Sequence, residues 1–483
     1  MTKSLAKAIA LATVLGASAS AHATNVNHDG LGEVLLYSLY TSEEGNVTNI
    51  NITNTTEHAK AVKVRFVEGQ NSREVLDFNL YLSANDQWSG AVTQTANGAK
   101  LITADKSCTA PAIPAGGVEF RNFEYAGTGA KQDNGEQSLA RTRVGHIEVI
   151  EMGVLDPAFE GGRLVDYVTS DHSISGAAGT KPGNCAAIEA EFKTGVWAGK
   201  KYTTGFLTAA DSFAAKASGG LYGSASILNI EGSTQISYDA LALDNFMDDG
   251  VDGPAPTHTA TGTVDPSLNQ GGNKSATFKN GVTAVYNSSA EAISALLMKE
   301  SISNDYVLDS ARGSETNWVI TFPTKRYHVD VGAVLPPFTT KWSGTSPNAK
   351  SCHPVTVRNW DNEEYEGTST DIDFSPMPPE GAGESLCYET NILTFNEAKM
   401  IGGEFVSYNI NLPQPDFRFG WMNIAFDEAA YALTSIDSAP VTVKGLPVIG
   451  FSAVTVKNNT ASNGVMNNYG SSTSHKANTT MDH

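Results

Sequence analysis

Carboxylates are the most abundant reactive groups in this 483-residue chain, with 52 Asp and Glu against 32 Lys and Arg and a formal net charge of −20. Two stretches concentrate them. Asp244 to Gly253 (DNFMDDGVDG) sets Asp248, Asp249 and Asp252 beside Gly250 and Gly253, which offers oxygen ligands on a turn, as a hard cation such as calcium requires. The spacing is not that of a twelve-residue EF-hand loop. Trp360 to Phe374 (WDNEEYEGTSTDIDF) is the second stretch, with Asp371 and Asp373 as its candidate ligands. Calcium is the cofactor these residues could hold, although a solvated acidic surface explains the same residues without any metal.

Other catalytic chemistry has little to build on. None of the ten histidines is paired at metal-ligand spacing, and there is no H-E-x-x-H and no phosphate-cradling glycine loop. His146, His328 and His353 fall in or near strand-like segments and read as structural. Tyr222-Gly223-Ser224 lacks the second glycine and the following helix of a nucleophile elbow. A glycosidase needs only two carboxylates, so that chemistry stays open from composition. The six tryptophans, however, are spread along the chain rather than clustered as in a sugar-cleaving groove. The expectation is therefore no enzyme, with no catalytic and no cofactor-binding residue named.

The four cysteines, Cys108, Cys185, Cys352 and Cys387, form an even set in a chain that reads as exported. Two sequential pairs, Cys108 with Cys185 and Cys352 with Cys387, are the simplest of three connectivities. Without a C-x-x-C, zinc and thioredoxin-like chemistry have little support.

The elements that must carry these residues are mostly strands. Met1 to Ala23 has Lys3 and Lys7, an apolar run and a terminal Ala21-His22-Ala23, the pattern of a secretory signal peptide. No later segment has the ~18 apolar residues of a transmembrane helix. A surface this acidic repels nucleic acid. From Ile50 to Trp88 apolar and polar residues alternate three times: Ile50 and Ile52 against Asn49, Asn51 and Thr53, then Val62 to Phe66, then Leu76 to Leu82. This predicts three consecutive antiparallel strands with one apolar face, which a second sheet must cover. Lys63 and Arg65 point away from that face and, with Arg73, form one of the few basic groups. They are expected to be exposed and are the candidate subunit contacts.

Further strands are expected at Gly30 to Tyr40, around Asn97-Gly98, at Arg143 to Val154, in a Gly219 to Leu243 hairpin, at Asn317 to Val329, and at four places after Ile392. Helices are expected at Ala186 to Phe192 and at Ser289 to Lys299, where Ser288 and Glu291 form a capping box. The fold class is thus mainly β: two or three β-sandwich domains, Ig-like or jelly-roll-like, with one or two short helices. The expected division is a signal peptide (1–23), an N-terminal sandwich (24–165), a β-rich middle domain with short helices (166–330), a β-rich C-terminal domain (331–456) and a polar flexible tail (457–483).

Three segments, GLGEVLLYSLYTSEEGNVTNINITNTTEHAKAVKVRFVEGQNSREVLDFNLYLSANDQW, NWVITFPTKRYHV and GLPVIGFSAVTVKN, resemble a group of exported proteins of marine Gram-negative bacteria that includes an S-layer protein. The resemblance implies a cell-surface protein that assembles with itself into a two-dimensional lattice on the outer membrane, held there by a polymer such as lipopolysaccharide. A secreted adhesin or a carbohydrate-binding β-sandwich is the alternative. Composition agrees with a lattice protein: acidic, poor in Cys and Met, and rich in small and polar residues. A lattice of acidic subunits needs its contacts neutralised, and divalent cations would do this.

Overall fold

The structure is a computed structural model and describes residues 23–127, 129, 131–169, 183–194, 219–247, 265–269, 274–367, 384–412, 416–458 and 467–482. It is mainly β, arranged as two sandwiches that share a core.

In the first sandwich, a seven-stranded inner sheet has the spatial order Asn25–Val26, Leu241–Asp244, Val34–Thr41, Val144–Val154, Lys60–Glu68, Glu74–Leu82 and Cys108–Ala110. A six-stranded outer sheet runs Thr234–Asp239, Leu221–Asn229, Asn46–Asn54, Gln87–Gln94, Ala99–Ile102 and Val118–Glu119. Tyr37, Val62, Val64, Phe66, Phe78 and Val149 meet Ile50, Ile52, Trp88 and Leu101 between the sheets.

The expectation of three strands side by side needs correction. Asn46–Asn54 belongs to the outer sheet, and only the next two strands are paired with each other. Alternation tells which side chains are buried but not which strand lies alongside, and the Asn54 to Lys60 turn carries the chain across the core. The Asn54 amide fixes that crossover by donating to the carbonyls of His58 and Ser83, both at 2.8 Å.

The inner sheet is covered on both faces. Its outward face packs on helices Arg163–Val168 and Cys185–Thr194 at one end, and on helix Ser289–Leu297 at the other. Every residue of Val34–Thr41 and of Val144–Val154 is consequently buried. That explains why the second reads as an imperfect alternation: it lies between two packed layers and carries two register shifts. Ser288 caps the Ser289–Leu297 helix by accepting from the Glu291 amide, and Glu291 in turn accepts from the Asn287 amide. The capping box thus closes one residue earlier than its simplest form.

The second sandwich pairs a four-stranded sheet, Thr356–Asp361, Phe419–Ala425, Ser301–Val307 and Lys476–Asn478, with a five-stranded one, Ser407–Ile410, Thr390–Phe395, Ser314–Thr321, Ile449–Asn458 and Asn467–Ser474. Trp318, Ile320, Phe395, Met422 and Ile424 fill it. On the opposite face of the five-stranded sheet, Val319, Ile392, Phe451 and Ala453 join the core of the first sandwich. There Phe451 stacks on Tyr238 with centroids 4.7 Å apart.

The expected divisions change accordingly. In the described part of 166–330 the Ser275–Thr277 and Thr283–Val285 strands and helix Ser289–Leu297 share a small core with Leu433, Val441 and Val443. Leu221–Asp244 completes the first sandwich, and Ser301–Thr321 belongs to the second. The tail is not a flexible appendage throughout, because Asn467–Ser474 pairs with Ile449–Asn458 along its whole length. It is held by its backbone pairing and by the Asn468 and Ser472 side chains, which donate to the Gly232 and Ser237 carbonyls of the first sandwich, so hydrophobic periodicity does not reveal it. Both expected disulfides are formed, Cys108–Cys185 and Cys352–Cys387.

The first disulfide ties helix Cys185–Thr194 to the last strand of the inner sheet across 77 residues of sequence. Replacing Cys108 and Cys185 with alanine should lower the unfolding free energy by about 4.5 kcal/mol on the chain-entropy model. Urea unfolding measures this, and a loss below about 1 kcal/mol would mean the cross-link does not constrain the unfolded chain.

Candidate functional site

Lys63, Arg65 and Arg73 are not the exposed basic group expected of them. The outward face of the inner sheet is itself covered, so the side opposite Val62, Val64 and Phe66 is interior as well, and all three residues are buried. Lys63 pairs diagonally with Asp77 on the neighbouring strand, where Asp77 lies opposite Arg65. Arg65 lies between Glu148, with which it forms a close ion pair, and Glu74 at 3.0 Å. Burial alone would push the Arg65 guanidinium down, yet Glu148, then Tyr327 and Glu74, hold it well above its ordinary range. Burial would likewise raise the Glu148 carboxyl, but Arg65 and His146 keep it below the usual carboxylate range. Arg73 pairs with Asp330 and lies 3.7 Å from Asp133.

As buried ion pairs these residues support the fold and offer no surface to a neighbouring subunit. Reversing their charge would therefore disrupt folding itself. Arg65→Ala should cost about 3–5 kcal/mol, because it strands the Glu148 carboxylate in the interior. The double variant Arg65→Met/Glu148→Leu should recover most of that loss. Urea unfolding of both variants tests this, and an Arg65→Ala loss below about 1 kcal/mol would contradict it.

The candidate cation ligands Asp248, Asp249, Asp252, Asp371 and Asp373 lie outside the described residues. In the described part of the second acidic stretch, Asp361 is committed to a turn, accepting from the amides of Glu363 and Tyr365 at 2.9 and 2.8 Å. Glu366 pairs with Arg358. Among the described residues no group of three or more His, Cys, Asp or Glu is placed to hold a metal.

The three histidines picked out in the sequence are buried and separately engaged. His328 meets the Ser294 hydroxyl at 2.8 Å, and His353 meets that of Ser351 at 3.0 Å. Burial lowers His328 to about 4; burial and then Lys325 lower His353 well below its ordinary value. His146 is buried 3.8 Å from Glu148. Tyr222-Gly223-Ser224 lies within the strand Leu221–Asn229, where no strand-to-helix turn presents the serine.

Two surface features stand out instead. The solvent face of the outer sheet carries cross-strand rows of mostly small, uncharged residues: Ser237, Ser226, Asn49, Ala91 and Ile102 in one, and Ser224, Asn51 and Ser89, bounded by Asp239, in the next. The Ser226 and Ser237 hydroxyls bond each other at 2.8 Å, and the Gln87 amide reaches Asn51. The outer sheet's strands hold 6, 9, 9, 8, 4 and 2 residues, which at ~4.8 Å between strands and ~3.4 Å per residue give a face of about 600 Å². Asp239, Lys100 and Glu119 mark its margins. The polar alternation of Asn49, Asn51 and Thr53 was visible in the sequence, but its continuation through Ser89, Ser226 and Ser237 depends on strand pairing.

The second feature is on the four-stranded sheet of the second sandwich, where Trp360 and Trp421 stack with centroids 4.2 Å apart and planes 15° apart. Sixty-one residues separate them in the chain, and only the pairing of Thr356–Asp361 with Phe419–Ala425 sets one opposite the other.

No protein-family model, curated protein or solved structure matches this chain.

Proposed function

We propose that the protein is a non-catalytic structural component of the cell surface, exported and assembling with copies of itself into a two-dimensional S-layer lattice on the outer membrane. The observation that supports this most is the uncharged polar face of the outer sheet on a chain of net charge −20. Like-charged subunits repel, and a face free of charge near its centre is where two copies can approach with least penalty. Its extent, about 600 Å² from the strand lengths and spacing, approaches the ~800 Å² that each partner contributes to a standard interface.

One self-complementary face yields only closed dimers; a sheet of subunits needs a second contact. The acidic stretches holding Asp248, Asp249, Asp252, Asp371 and Asp373 supply a candidate, bridged between neighbours by calcium. A surface polymer such as lipopolysaccharide is the anchor this reading requires.

Negative-stain microscopy of the purified protein with millimolar calcium should reveal ordered arrays, and dispersed monomers at every protein concentration would overturn the reading. Asn49→Asp/Asn51→Asp keeps side-chain shape while adding two negative charges to the face. Arrays should then be lost with the unfolding midpoint unchanged, and arrays that persist would exclude the face as a contact. EDTA should disperse wild-type arrays into smaller assemblies; an unchanged lattice would remove calcium from the scheme.

A further inference from the structure

The Trp360–Trp421 stack stands on a rigid base. Beneath it, Gly420 leaves room for the Tyr306 hydroxyl to donate to the Trp360 carbonyl at 2.9 Å, since a Cβ at that glycine would collide with both groups. On the neighbouring strand the Asp305 carbonyl accepts from Trp318 Nε1 at 3.2 Å and from the Ser452 hydroxyl at 3.1 Å. Strands and rings are therefore fixed from the core side.

The two rings are not equivalent. Trp360 has Trp421 on one face, and the Arg358 guanidinium lies over its ring 5.0 Å from the centroid. Arg358 is in turn held by Glu366 at 2.7 Å. Trp421 is the open member, 43% exposed. Its cross-strand neighbour on the other side is Asp305, exposed on Ser301–Val307. The next strand, Lys476–Asn478, pairs only as far as Ser303, so among the described residues no strand flanks Asp305 there. Ser303 and Asn423, paired one step along the same face, lie beside the ring.

We propose that this surface is a binding site for a neutral carbohydrate, with one pyranose ring stacked on the free face of Trp421. A pyranose presents a face of C–H groups whose size matches an indole, while its hydroxyls project around the ring edge. The indole face carries the negative side of the ring quadrupole and favours those C–H groups. Beside the ring the Asp305 side chain offers hydrogen-bond acceptors, and the Asn423 carbonyl and Ser303 hydroxyl add further capacity. An anionic sugar would face the Asp305 carboxylate on an acidic protein. A protein partner would need ~800 Å² of complementary surface, whereas here polar Thr356, Arg358, Ser303 and Asn423 surround two rings. This site stands apart from the lattice proposal and does not depend on it.

Isothermal titration of the intact protein with cellohexaose, chitohexaose, laminarihexaose and mannohexaose tests the proposal. At least one should bind with a millimolar or tighter dissociation constant. Trp421→Ala should weaken that binding by about tenfold or more, the loss expected for one aromatic stacking contact. Trp421→Phe should retain part of it, and Asp305→Asn should weaken it less than Trp421→Ala. Trp421 is on the surface, so circular dichroism and the unfolding midpoint of these variants should match the wild type. Failure of all four sugars to bind, or equal binding by Trp421→Ala, overturns the site. Tighter binding of an oligogalacturonate than of any neutral sugar overturns the neutral assignment, and loss of self-association in Trp421→Ala with sugar binding intact would make the stack a protein contact.

Discussion

The ion cluster of Glu68, Arg141 and Asp133 is the constraint on which the joining of the two sandwiches depends. Arg141 grips Glu68 through Nε and Nη2 at 2.6 and 2.7 Å and Asp133 through Nη1 and Nη2 at 2.9 and 2.6 Å, all of it buried. Glu68 also accepts the amides of Gln70, Asn71 and Arg73, which shapes the turn between two inner-sheet strands. Burial works against the Arg141 charge, but Glu68 and then Asp133 hold its guanidinium above its ordinary range. Burying three charges is costly unless every lone pair and proton is used, and here nearly all are. The satisfied cluster acts on the fold through geometry. The turn fixed by Glu68 offers the Gly69 and Gln70 carbonyls to the amides of Thr390 and Glu389, while the Asp133 carbonyl accepts from Trp342 Nε1 at 2.6 Å. These acceptors belong to the first sandwich and their donors to the second.

A shared core makes the division of the chain hard to see in sequence. The alternating apolar positions of Ile50 to Trp88, the helix cap at Ser288 and the cysteine pairing all rest on local chemistry, and each is legible from neighbouring residues. The partner of each strand is a long-range property. Asn46–Asn54 and Lys60–Glu68 have the same alternating pattern, yet they face each other across the core instead of lying side by side. Leu221–Asn229 comes after a long intervening stretch, and it returns to pair with Asn46–Asn54 along nine registered positions. Nothing within that strand specifies the return.

The basic residues mark the other limit of local inference. Lys63 and Arg65 sit opposite an apolar stripe, the usual position of a solvated side chain in a two-layer sandwich. A third layer turns that position inward. Tyr327, next to the short helix start at Arg326, contributes to the field around Arg65, and the polar alternation of a single strand carries no sign of what will cover it. The aromatic stack was hidden in the same way, since Trp360 and Trp421 become neighbours only through pairing.

With Lys63, Arg65 and Arg73 committed inside the fold, the basic group that looked able to neutralise a neighbour's carboxylates cannot reach them. An acidic subunit then has two physical routes to close contact with its copies: a surface whose polarity is uncharged, or a cation from solution. The first matches the Asn and Ser rows of the outer sheet; the second matches what the acidic stretches could hold. The same electrostatics applies to ligands, since repulsion within about a Debye length disfavours anions and leaves an uncharged, hydroxyl-rich molecule free to approach. An exposed indole beside a carboxylate suits such a molecule because each of its two chemical faces, apolar C–H and donating O–H, finds its complement within one ring's width.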